Sequence, residues 1–291
     1  MSWLQLELET NQVFGEELSV LLEEFGAISI SLTASSDEPI FDEDAENNTL
    51  WDKTKLTALL NSKCDVDSLL IKLHKNLGSD AIHSHKIKFL KDKDWIHEFK
   101  SKYRPIFFLN KICISPSWCN PESEIPTIIL DPGLAFGTGT HPTTSLCIEW
   151  LCQNDLNDKI IIDYGCGSGI LAMVAAKLGA KQVFAIDIDE QALNTAKDNI
   201  VNNGLHEKIL ISHPKNIIIP KADILVANIL KNPLNKLLKE FSSLTKSGSD
   251  IILSGLLAEQ VEECLVVYKR HFNMDKPVLR ESWASLHGAR H

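Results

Sequence analysis

The sequence predicts an α/β protein whose main sheet is doubly wound and mostly parallel, preceded by a small α+β domain of ferredoxin-like plan. Two patterns and the break between them support this. From Lys159 onward, short apolar runs alternate with helical stretches, the order that builds a parallel sheet wrapped by helices. The first hundred or so residues instead read strand, helix, strand, strand, helix, strand. Between the two lies DKDWIHEFKSKYRPIFFLNKICISPSW, amphipathic in its first half and strand-like in its second. The expected division is residues 1–98 for the N-terminal domain, 99–120 for a linker and 121–291 for the second domain.

Each element has its own signal. WLQLELE (Trp3 to Glu9) alternates polar and apolar side chains, as a half-buried strand does. Val13 to Gly26 has helical spacing and stops on a glycine. AISISL gives a second strand, and the acidic SSDEPIFDEDAENNT a loop. Lys55 to Asn61 gives a third strand, VDSLLIKLHKNLG a second helix and HKIKFL (His85 to Leu90) a fourth strand. In the second domain KIIIDY (Lys159 to Tyr164) is a continuous apolar run, the mark of a strand covered on both faces. SGILAMVAAKLGA is a helix ending at Gly179, KQVFAIDID a strand, and EQALNTAKDNIVNNG a helix stopped by Gly204. KILIS, ADILVAN and DIILSG are further strands, with helices over Pro233 to Leu244 and Leu257 to His271.

Composition narrows the function classes. The 291 residues are 44% apolar and 23% charged, enough for one large or two smaller cores. The net charge of −10 speaks against a broad nucleic-acid-binding face, and no direct nucleic-acid binding is expected. The N-terminus alternates and carries acid early, unlike a signal peptide, and no apolar run is long enough to span a membrane. The seven cysteines are scattered and form no Cys-x-x-Cys, so neither a disulfide framework nor a zinc site is expected. His83 and His85 share a strand face, but no cysteine or acid stands beside them at ligand spacing, and no metal is expected. These features fit a cytoplasmic protein.

Two glycine-rich stretches carry the chemistry: DPGLAFGTGTHPTTSLC from Asp131 and DYGCGSG from Asp163. A phosphate-binding P-loop would end in Lys-Ser or Lys-Thr, and no lysine follows here. A dinucleotide fold wants Gly-x-Gly-x-x-Gly, and Gly165-Cys166-Gly167-Ser168-Gly169 is one residue tighter. Asp187 lies 22 residues after Gly165, at the tip of the next strand, where an acid accepts ribose hydroxyls and repels a 2′-phosphate. Asp163, read as lying in the loop before the glycines, either meets a positive group on the same ligand or serves as a turn or cap. A pyrophosphate would make this second acid unwelcome; an adenosine bearing an amino acid would not. The chemistry points to S-adenosylmethionine. The competing reading is an NAD-dependent oxidoreductase, against which the glycine spacing and the lack of a histidine-lysine catalytic set both count.

DYGCGSGILA, AIDIDEQAL and VANIL resemble the successive motifs of class I methyltransferases. LDPGLAFGTGTHPTT, the KDKDW stretch and CISPSW narrow the resemblance to the PrmA family, methyltransferases of large-subunit ribosomal protein number eleven, and it runs over the whole chain. The resemblance implies a class I methyltransferase sheet with a ferredoxin-like domain that recognises the substrate. It implies methyl transfer from S-adenosyl-L-methionine to lysine side-chain and N-terminal amines, leaving S-adenosyl-L-homocysteine and needing no metal. It further implies a monomer that meets the ribosomal protein free, before assembly.

By the same resemblance, Thr144, Gly165, Asp187 and Asn228 contact the cofactor, with Gly167 in the same glycine loop. Phe136, Gly137, Gly139 and His141 belong to a loop that covers it, and His141 stands at the start of a helix beginning at Pro142. Asn228 is the catalytic candidate: it ends ADILVAN, and NILKNP resembles the Asn-Pro-Pro-Tyr element that binds amine or amide nitrogens in related methyltransferases. Its alternative is an Asx turn before the next helix. No residue stands out as a dedicated base. Trp283, in a C-terminus less family-like around it, is read as either a core or a pocket residue. Two other classes stay open: a protein-lysine methyltransferase with another target, and a binding or assembly protein that has lost its chemistry.

Overall fold

The computed structural model describes residues 3–35, 51–90, 100, 103–119, 124–132, 137 and 139–291. Its contacts divide the chain into two compact units, Met1–Phe99 and Lys100–His291.

The first unit follows the predicted element order: β1 (Trp3–Thr10), α1 (Gly15–Glu24), β2 (Ser29–Ala34), β3 (Thr54–Asn61), α2 (Val66–Leu77) and β4 (Ser84–Leu90). The sheet order is β2-β3-β1-β4, with every pair antiparallel. Strand alternation turns Leu4, Leu6 and Leu8 of β1 and Leu56, Ala58 and Leu60 of β3 to one face. There they are buried with Leu18 and Leu22 of α1 and Leu69 and Leu73 of α2. Helix α2 is fixed at its start by Asp65, whose carboxylate accepts the Ser68 N–H at 3.2 Å. On the other face Glu7 pairs with Lys55 at 3.1 Å and with Lys88. The Lys88 hydrogen bond, opposed by burial and aided by Lys55, holds the Glu7 carboxyl below its usual range. His85 on β4 and His83 just before it are both exposed.

The second unit begins earlier than the sequence suggested. Strand β5 (Ile106–Phe108) pairs antiparallel with β6 (Ile112–Ser115), which pairs parallel with β7 (Thr127–Ile129). Phe108, Ile112, Ile114 and Ile128 are buried in the same core as Cys147, Ile148 and Leu151 of helix α3 (Pro142–Gln153). The stretch read as a linker over 99–120 is therefore, from Lys100, part of this unit. Its alternating apolar side chains are what bury it. Trp95 and the rest of KDKDW lie outside the described residues.

The main sheet is built from β8 (Ile160–Tyr164), β9 (Gln182–Ile186), β10 (Ile209–Ser212), β11 (Ala222–Asn228), β12 (Thr245–Leu257), β13 (Phe272–Met274), β14 (Val278–Arg280) and β15 (Trp283–Arg290). Its order is β10-β9-β8-β11-β12-β15-β13, with β14 on β15. The pairs from β10 to β12 are parallel, and those made by β15 are antiparallel. Helices α3, α4 (Ile170–Lys177) and α5 (Glu190–Asn202) share one core on one face. Helices α6 (Lys231–Leu244) and α7 (Val261–Tyr268) share another. Helix α7 starts later than the predicted Leu257, because Leu257 still pairs with Trp283 at the end of β12. From β8 the chain crosses to β9 on one side, while β11 lies on the other. The carboxyl ends of β8 and β11 thus flank a topological switch point, where α/β sheets open a crevice.

Candidate active site

The glycine loop leaves β8 at that switch point. Gly165 has φ +77, and a Cβ there would stand 2.2 Å from Cγ2 of Ile229, so no larger residue fits without displacing the β11 side. Its N–H and that of Cys166 both donate to the Ile186 carbonyl, at 2.7 and 3.0 Å, pinning the loop to the end of β9. The Gly167 N–H donates to Oδ2 of Asp187 at 2.9 Å, while Oδ1 of Asp187 accepts the Asp189 N–H at 3.1 Å. Asp187 therefore holds the glycine loop and the start of α5 at once. A carboxylate has lone pairs enough to do this and still accept two hydroxyls.

Asp163 is not in the loop. It belongs to β8 and is only 1% exposed, because the strand runs up to the first glycine. Its Oδ2 accepts the Ala172 N–H in the first turn of α4 at 2.9 Å, and its Oδ1 is buried with no hydrogen-bond partner among the described residues. Burial pushes this carboxyl up to about 7; the Ala172 hydrogen bond opposes the shift and the Asp187 charge adds to it.

The earlier glycine-rich stretch meets this floor, among the described residues, through the Ser168 hydroxyl. Ser168 Oγ donates to the Gly137 carbonyl at 2.6 Å, and Asn199 Nδ2 donates to the Ser168 carbonyl at 2.9 Å. The two stretches therefore serve one site. Gly139 packs toward Ile170 and Ile114, and its carbonyl accepts from Ser145 Oγ at 2.9 Å. His141 is the N-cap of α3: its Nδ1 accepts the Thr143 N–H at 3.3 Å, and Pro142 opens the helix behind it. The His141 ring meets Trp283 edge-on, with centroids 4.7 Å apart. Burial holds this imidazole below its ordinary value, against the opposing charge of Glu281.

One turn into α3, Thr144 is fully buried and its Oγ1 accepts from Asn228 Nδ2 at 3.2 Å. Oδ1 of Asn228 is left buried and without a partner among the described residues. A cleft of about 620 Å³ opens over these groups. Gly137, Thr144, Gly165, Gly167, Asp187 and Asn228 all line it. Gly139 and His141 are not among its lining residues, their places being taken up by packing and helix capping. Phe136 lies outside the described residues.

Tyr164, Ile188, Ile229 and Lys236 also line the cleft, and the sequence reading did not place them there. The first three are immediate neighbours of Gly165, Asp187 and Asn228, so the strand tips would have indicated them. Tyr164 donates its hydroxyl to Oε1 of Glu240 at 2.7 Å. Ile188 is 74% exposed, an apolar surface at the cleft mouth beside the acid.

A family model described as ribosomal protein L11 methyltransferase (PrmA) matches residues 2–291. The chain belongs to the PrmA family. Full-length relatives agree. A protein of Nitrosococcus oceani is 41% identical over 291 residues and one of Shewanella sediminis 44% identical over 297, each match covering 100% of both chains. Both are named ribosomal protein L11 methyltransferase. Among solved structures, a ribosomal protein L11 methylase from Lactobacillus delbrueckii subsp. bulgaricus is 32% identical with a TM-score of 0.58, covering 65% of this chain and 99% of that one. Membership of the PrmA family makes the protein an S-adenosylmethionine-dependent protein methyltransferase and removes the nicotinamide reading.

Proposed function

We propose that the cleft at the β8–β11 switch point binds S-adenosylmethionine and transfers its methyl group to lysine side-chain and N-terminal amines of ribosomal protein L11. The residues present fit such a ligand. Asp187, at the tip of β9, suits ribose hydroxyls, and the apolar Ile188 beside it suits a flat purine. Gly165 and Gly167 let the backbone approach the chain of the ligand closely. Thr144 and Asn228 stand at the methionine end. The first unit holds the protein substrate, which is met in the cytoplasm before ribosome assembly, by a monomeric enzyme that needs no metal.

S-adenosylmethionine supplies a methyl group already activated by a cationic sulfur. What remains for the protein is alignment of the amine nitrogen with the methyl carbon and sulfur. As the N–C bond forms the C–S bond breaks, its electron pair going to sulfur. The amine must arrive without its extra proton, since a lysine in water holds it to about pH 10.4. Entry into an apolar cleft favours the neutral amine, and the proton leaves to solvent. The observation that carries this reading is Oδ1 of Asn228, buried and without a partner among the described residues, on an amide whose Nδ2 is engaged by Thr144. It accepts one N–H of the incoming amine and so points the nitrogen lone pair at the methyl group.

The test is methyl transfer to purified ribosomal protein L11 by Asn228→Ala. The expected result is a kcat lower by about 10- to 100-fold, the scale of a misaligned attack, with S-adenosylmethionine still bound. Normal turnover in that variant would remove Asn228 from the mechanism. Transfer to other proteins and none to L11 would overturn the substrate.

A further inference from the structure

Helix α3 brings Thr144 to Asn228, and the β14–β15 hairpin grips that helix at three points. At its start, Trp283 packs against His141. Two turns on, Arg280 at the end of β14 holds Glu149 by both prongs, Nη1 donating to Oε1 at 3.0 Å and Nη2 to Oε2 at 2.8 Å. Next to Glu149, the Trp150 ring stacks at 5.0 Å on His287 of β15. Between Arg280 and Trp283 the chain turns through Glu281 at φ 56, a left-handed conformation that brings β14 back along β15. Glu149 lies five positions after Thr144, roughly 140° around the helix. Arg280 therefore holds α3 from a side away from the one that meets Asn228.

This grip bears on chemistry through a single amide. Asn228 can present either its nitrogen or its oxygen to a neighbour. The 3.2 Å bond to Thr144 Oγ1 occupies Nδ2 and leaves Oδ1, without a partner among the described residues, for the methyl acceptor. That distance is at the long end of the hydrogen-bond range, so a small slide or roll of α3 breaks it. We infer that the Arg280–Glu149 pair is a positioning element for methyl transfer, holding α3 where Thr144 sets the direction of the Asn228 amide. The inference rests on the reading of Asn228 given above. Both partners are partly exposed, with side-chain exposures of 37% and 29%. Such pairs add little to stability. Their two-pronged geometry fixes direction as well as distance. The pair should therefore matter more to kcat than to Tm.

The experiment compares Arg280→Gln, Arg280→Lys and Glu149→Gln in the full chain, alone and combined with Thr144→Val. Each single change is expected to lower kcat about three- to tenfold through misalignment, with the Kd for S-adenosylmethionine changed by less than kcat in calorimetry and Tm little altered. Arg280→Lys keeps the charge and loses the fork, so it should keep Tm but not kcat. In the Thr144→Val background the same changes should cost nothing further, because residues that act through one contact are not additive. The Asn228 side-chain amide signal in ¹⁵N–¹H spectra should move in Arg280→Gln. Unchanged kcat, a loss that persists in full without Thr144, or an unmoved amide signal would each overturn the inference. A wild-type enzyme inactive on ribosomal protein L11 would instead sink the reading of function, and the amide signal would still test the positioning.

Discussion

The two larger sheets of this protein bury the same kinds of side chain and differ in how their strands run. In the first unit every neighbouring pair is antiparallel, both helices lie on one face, and the other face carries Glu7 between Lys55 and Lys88. In the second, parallel strands leave β8 in one direction and β11 stands on the other side, so two carboxyl ends part and open a cleft. An antiparallel sheet of the first kind has no such switch point. The difference teaches that the site follows from strand direction and crossover, with the glycines only permitting close approach. It also assigns different work to charge: Glu7 balances two lysines in the first unit, and Asp187 holds the glycine loop in the second.

Three measurements can break or sharpen that contrast. The largest effect is expected from Asp187→Asn. The amide oxygen can still take the Gly167 N–H, but the charge-assisted bonds to ribose are lost. At about 1.5–3 kcal/mol for hydrogen bonds to a charged group, S-adenosylmethionine should bind roughly 10- to 100-fold more weakly by calorimetry. Unchanged affinity would mean that Asp187 serves the loop alone.

A middle effect is expected at His287, whose Nε2 lies 3.1 Å from Asp250 and Nδ1 2.6 Å from Asp275. Burial lowers its pKa, but the two aspartates prevail and raise it above its ordinary value. A raised folded pKa means that the charged ring stabilises the fold fully below its unfolded pKa, and that this is lost as pH rises through the folded one. His287→Asn should therefore cost about 1 kcal/mol in urea melts near pH 6, on the scale of partly exposed pairs. It should cost less near pH 9. An equal cost at both values would make the ring a packing residue only.

The smallest effect is expected in the first unit. Lys55→Ala should change stability by less than about 1 kcal/mol, because Lys55 is partly exposed and Lys88 remains on the buried Glu7. A larger loss would show that the open face of this sheet depends on its charges as strongly as the cleft does.

Much of this was legible in the sequence, for physical reasons. Strands covered on both faces, such as Ile160–Tyr164, stand out as unbroken apolar runs, and amphipathic α2 and α5 stand out by period and glycine stops. Asp187 and Asn228 were legible because each sits at a strand tip. Strands β13 to β15 were not: β13 and β14 are three residues each, and Val278 and Leu279 are exposed, so no alternation marks them. Asp163 looked like a loop residue because polarity usually marks a strand end, whereas here the strand carries a buried acid bound to the next helix. The resemblance puts His141 in the covering loop, and its place at the start of α3 was legible from the Pro142 that follows it. Its contacts with Thr143 and Trp283 are respectively too local and too distant in sequence to be read as pairs.

The placement of β15 has a consequence for synthesis. Latest in chain order of the strands described, it sits inside the sheet, between β12 and β13, and its hairpin supplies the Arg280 clamp. Until residues 283–290 have left the ribosome, β12 has an open edge with apolar Ile251, Ile252 and Leu253 beside it. An unpaired apolar edge of this kind is a template for mispairing. A nascent chain stalled before Trp283 would hold every described residue that lines the cleft, yet lack the strand that finishes the sheet beside helix α3. A chain cut before Trp283 should therefore gather in aggregates instead of working slowly.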